Sequence, residues 1–117
     1  MNPHQLLFWR QEATVRLLPQ SIAQELNWGQ DVKGLEDLPV KEILTKIKEA
    51  LPQAVERAGL LSGEAQSGNW EITWGWQFMK LESPPGESDL QQVVIDILSE
   101  AGIPAYDPQQ GLRHPQP

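Results

Sequence analysis

Two histidines, His4 and His114, are the natural acid–base candidates at neutral pH, and both stand close to a chain end. A catalytic or metal-binding imidazole needs a rigid surround that fixes its tautomer and direction. Neither position suggests one. Cysteine is absent, which excludes thiol nucleophiles, disulfides and cysteine-ligated zinc. Carboxylates remain as candidates for acid–base work or for holding magnesium. Asp96 and Glu100 are one helical turn apart, and Glu71 and Glu82 flank a tryptophan-rich stretch. No D-x-D, H-E-x-x-H or E-x-x-H spacing accompanies them. Asp96 and Glu100 fit the solvated back of an amphipathic helix whose other side carries Val93, Val94, Ile97 and Leu98. Gly59, Gly63 and Gly68 form neither of the glycine patterns that cradle phosphate.

The tryptophans are the remaining unusual feature. Five occur in 117 residues, three of them between positions 70 and 76. Each indole can bury about 200 Å² and needs a partner for its N–H. Trp70, Ile72, Trp74, Trp76 and Phe78 occupy every second position. On one continuous strand from Trp70 to Glu82 they would project to a common side, with Glu71, Thr73, Gly75 and Gln77 opposite. A hairpin with a two-residue turn at Gly75 is disfavoured, since it would pair a tryptophan position with a glutamine position on one face.

The expected elements around this strand are mostly helical. Asn2 and Pro3 suit a helix start, with Leu6, Trp9, Ala13 and Leu17 at helical spacing; residues 14–18 also read as a strand. Ser21–Gln24 has the form of a capping box, and Gly29 can end the short helix after it. Val40, Ile43, Leu44, Ile47, Leu51, Ala54, Val55 and Ala58 keep one apolar stripe up to Gly59, across a kink or break at Pro52, with Asp37 as a plausible cap. Ser62–Asn69 reads as a flexible polar connection. Ser88–Gln91 opens a further helix, whose apolar side runs through Leu90, Val93, Val94, Ile97, Leu98 and Ala101 to a stop at Gly102, Ile103 and Pro104.

The expected fold class is therefore α+β: two to three amphipathic helices packed on a small sheet whose main strand is residues 70–82. Residues 1–106 form a single domain and 107–117 a mobile tail.

Charge narrows the choice of partners. The net charge is −7, and residues 59–117 hold only Lys80 and Arg113 against eight acids. An acidic surface repels phosphate backbones and anionic lipids. A thin stripe of Lys41, Lys46, Lys48 and Arg57 is interleaved with Glu42, Glu49 and Glu56, which speaks against a nucleic-acid groove. No signal peptide core and no run of about 20 apolar residues occurs.

The expectation is a cytoplasmic, non-catalytic protein–protein interaction or regulatory protein, with no cofactor and no membrane partner. A lone tryptophan strand would leave an unpaired edge for a second copy or a partner peptide. Trp70, Trp74, Trp76 and Phe78 would anchor the contact, with Glu71 and Glu82 selecting a basic partner. The alternatives are a small carboxylate-based enzyme or ligand-binding domain, with or without a metal, and a weak nucleic-acid binder.

Overall fold

The apolar run Leu6-Leu7-Phe8-Trp9 decides the architecture. On a helix these four side chains would spread around the axis, and each one left in water would forfeit about 1.5–3 kcal/mol. A strand between two layers buries all of them. The computed structural model, which describes residues 4–10, 19–28, 32–107 and 112–114, adopts that solution. His4–Phe8 is strand β1, not the expected helix, and all four apolar residues are at most 2% exposed. Residues 14–18, where helix and strand competed, lie outside the described residues.

Along the chain β1 is followed by α1 (Pro19–Asn27), α2 (Val40–Ala50), β2 (Val55–Arg57), β3 (Leu60–Ala65) and β4 (Gly68–Trp74). Then come β5 (Met79–Ser83), α3 (Ser88–Glu100), β6 (Ala105–Asp107) and β7 (Leu112–His114). Among the described residues the strands form one antiparallel sheet in the order β2-β3-β4-β5-β1-β6-β7. The protein is α+β as expected, and its sheet is larger than expected.

Leu6 and Phe8 point to one face, where α2 and α3 pack with Ile43, Ile47, Val94, Leu98, Ile72 and Leu81. Leu7 and Trp9 point to the other, where α1 and the following loop bring Ile22, Leu26, Val32 and Leu35 against Tyr106. The Trp9 and Tyr106 rings are tilted against each other, with centroids 5.5 Å apart. The loop over this second face is held by Gln77. Its buried amide accepts from the Val32 N–H at 2.9 Å and donates to the Val32 carbonyl at 2.7 Å, as a neighbouring strand would.

Two other expectations are corrected. The helix from Val40 stops at Ala50, and the chain turns at 51–53 into β2. Pro52 has no N–H to extend the helix, and the Ala58-Gly59 pair, both at positive φ, makes a two-residue hairpin turn between β2 and β3. The supposed polar connection 62–69 is most of β3, a turn at Gln66-Ser67 and the start of β4. Within the expected tail, Asp107 closes β6 and Leu112–His114 pairs with it as β7; residues 108–111 and 115–117 lie outside the described residues. The Gly102 stop of α3 is present as expected: Gly102 has φ +78°, and the Ile103 N–H reaches back to the Leu98 carbonyl.

Candidate functional site

The stretch 70–82 is two antiparallel strands, not one. Trp74 pairs with Met79, and Gly75–Phe78 forms a four-residue connection. Gly75 donates to the Phe78 carbonyl at 3.0 Å, and the Phe78 ring lies where a Cβ on residue 75 would sit, 2.9 Å away. A connection of this length shifts the phase of the alternation. Trp70, Ile72 and Trp74 face the α2/α3 side from even positions, whereas Met79 and Leu81 face it from odd ones. The lone-strand premise also falls, because β4 has β3 on one side and β5 on the other.

The aromatics expected on a common side are accordingly separated. Trp70 is 3% exposed, with its indole laid over Gly63; a Cβ there would come within 2.6 Å of the ring. Trp74 is half-buried against the same core, and Phe78 packs against the core on the opposite face. Trp76 alone of the four remains outside, 51% exposed at the tip of the β4–β5 connection. Its backbone is fixed, since its carbonyl accepts from the Leu38 N–H at 2.9 Å. Trp28, just after α1, is also well exposed.

The two acids do meet. Glu71 and Glu82 are cross-strand partners, and Val55 and Ser62 continue their row outward to the sheet edge. Register places Arg57, Leu60, Thr73 and Lys80 in the adjacent row and Glu64 with Asn69 beyond the first. All of these project away from α2 and α3, because each alternates with a core residue of that side. The α1 layer packs on β1 and β6, as Leu7 and Tyr106 show. The β2–β5 half of this face therefore presents Glu64, Glu71 and Glu82 to the outside, with Lys80 3.4 Å from Glu82. Glu64, Asn69 and Ser62 line an open cleft of about 440 Å³ with Glu71, Val55 and Gln53.

Sequence reasoning missed the edge strand β2, on which all three residues are exposed, together with Glu64, Asn69 and Gln53. The available signals were the Ala58-Gly59 turn and the switch of apolar positions from even to odd between Phe78 and Met79.

His4 sits in a central strand and donates through Nε2 to Asp107 Oδ2 at 2.9 Å, so it is tied down, contrary to the expectation for a fraying end. Its cross-strand partner Ser83 is buried and accepts from Gln91 Nε2 at 3.1 Å. His114 lies in β7. Asp96 and Glu100 are on the exposed side of α3, with Asp96 accepting from Gln92. Arg57 belongs to β2, apart from the α2 lysines, and Lys48 pairs with Glu56.

Among the described residues, no group of three or more histidine, aspartate or glutamate side chains is placed to hold a metal ion. No helix among them is long and apolar enough to cross a membrane. No protein-family model matches the sequence, and no curated protein matches it.

Proposed function

We propose that the protein is a non-catalytic interaction or regulatory protein that receives a basic partner protein on the open half of its sheet. The observation that carries this reading is the direct cross-strand pairing of Glu71 with Glu82 on an uncovered face. Like charges directly opposite each other destabilise a sheet, and only Glu82 has Lys80 beside it. A lysine or arginine arriving from a partner would turn this cost into attraction. Glu64 extends the acidic row, and the rigidly held Trp76 supplies an aromatic anchor of the kind that dominates binding energy at interfaces. The cytoplasm is the proposed place of action, a reading favoured by the absence of cysteine.

The test is affinity capture from native cells with wild type, with Glu71→Lys plus Glu82→Lys, and with Trp76→Ala, each at low and high salt. A protein whose sequence is basic should be retained by wild type, lost with the charge reversal and weakened with Trp76→Ala. Retention of the same proteins by the reversed variant would refute the reading. Sedimentation of the purified protein addresses the remaining form of it, in which the partner is a second copy: a dimer that survives the charge reversal would replace the basic partner.

A further inference from the structure

Strand β3 is six residues long and its outer neighbour β2 only three. β2 pairs with Leu60–Ser62 and leaves Gly63, Glu64 and Ala65 with β4 on one side and, among the described residues, no strand on the other. The chain leading into β2 makes no ladder pair with these residues, although Gln53 and Ala54 stand beside Gly63 and Glu64. It turns away at Pro52, and the Ala54 N–H closes that turn on the Leu51 carbonyl. Along an antiparallel strand the backbone groups alternate sides, so Gly63 and Ala65 turn theirs to β4 and the N–H and carbonyl of Glu64 are left facing outward, the condition under which an extended segment adds to a sheet.

We infer that the overhang of β3 is a strand-addition slot for an extended segment of a partner protein in which basic and apolar side chains alternate. This deepens the basic-partner reading and rests on it. Two clefts meet at the slot, one on each face of the sheet, and Gln53, Gly63 and Glu64 line both. On the open face lies the 440 Å³ cleft with Glu64 and Glu71 and no cationic side chain. On the helix face is a cleft of about 280 Å³ formed with Leu51, Pro52, Ala54 and Trp70. A strand drops successive side chains to opposite faces, so one entering here would place every second residue against carboxylates and the others against apolar surface.

Charge selects the occupant. An acidic residue in the open-face cleft would be repelled by Glu64 and Glu71, whereas lysine or arginine is attracted. A second copy offering its own edge strand, Val55-Glu56-Arg57, fits neither way round. One orientation sets Glu56 against Glu64 and Glu71, and the other buries it in the apolar cleft.

The experiment is a titration of ¹⁵N-labelled full-length protein with three short peptides: alternating Lys and Val, the same composition in two blocks, and alternating Glu and Val. The alternating basic peptide should move the amides of residues 63–65 and the Trp70 indole N–H and slow amide exchange at the overhang. It should bind roughly tenfold tighter than the block peptide, and Glu64→Lys should weaken it by a similar factor. Glu71→Gln, a milder change on the same cleft, should weaken it less, and the spectrum of each free variant establishes that it is folded. Equal binding of the two basic peptides, or shifts confined to Glu82 and Trp76, would overturn the slot and leave the basic-partner reading standing. Binding of the acidic peptide alone, or of none, would overturn both.

Discussion

At the scale of single residues, the side chains that look most functional in the sequence divide by what they touch. Trp70 has its indole against Gly63, so its size serves the fold. Gly63→Ala forces a Cβ to within 2.6 Å of that ring, and the ring cannot withdraw from a filled core. A loss of about 1–3 kcal/mol is expected, read as a lower urea midpoint at constant slope. Glu71 behaves in the opposite sense. Its carboxylate faces that of Glu82 across the ladder, so Glu71→Gln should raise stability by a few tenths of a kcal/mol while weakening attachment of a basic partner. A stability gain together with a binding loss would identify Glu71 as a residue kept for something other than the fold; a stability loss would show that its carboxylate is used internally.

At the scale of elements, the turns carry the information that periodicity alone does not. Ala58 sits at φ +49° in the β2–β3 turn, where a side chain strains the backbone. Asparagine tolerates that region better, so Ala58→Asn should stabilise the hairpin by about 0.5–1 kcal/mol, seen as a higher melting temperature. Gln77 predicts the reverse. Replacing it with alanine strands the N–H and carbonyl of Val32, two groups bonded only through that side chain in the described contacts, at about 1–3 kcal/mol for each buried group left unpaired. Hydrogen exchange should then accelerate in α1 and residues 32–38 more than in α3. The helix α3 was legible because its apolar spacing, its stop at Gly102 and its neighbours all agree. β1 was not, because Leu6 and Trp9 also fit helical spacing, and only the presence of layers on both sides decides for a strand. The hairpin at 75–78 was hidden by Trp76 and Phe78, which continue the even-numbered pattern of β4 although they face solvent and the opposite core. Of the candidate site, the acids Glu71 and Glu82 were found from sequence. The edge beside them was not, since β3 resembles a polar linker until its pairing with β4 is known.

At the scale of the molecule, the charge and the sheet are distributed together. The acidic half of the sequence, residues 59–117, supplies β3, β4 and β5, three of the four strands of the open face, while β2 with Arg57 comes from the other half. The near-neutral half contributes α1 and α2, which cover the sheet. Repulsion among Glu64, Glu71 and Glu82 is thus concentrated where, among the described residues, no layer covers the sheet, and salt acts on it in two opposite ways. The screening length shrinks from about 10 Å at 0.1 M to 3 Å at 1 M, which relieves repulsion in the free protein and also screens its attraction for a basic ligand. Raising sodium chloride from low concentration to 1 M should therefore raise the melting temperature of the free protein while weakening its affinity for the alternating Lys–Val peptide. Glu71→Gln should flatten both dependences, because one carboxylate contributes to both. Calorimetry and peptide titration across the same salt series make the comparison. If affinity falls with salt but the melting temperature of the free protein falls as well, the acids are engaged with cations of this chain, and the open face does not hold a charge waiting for a partner.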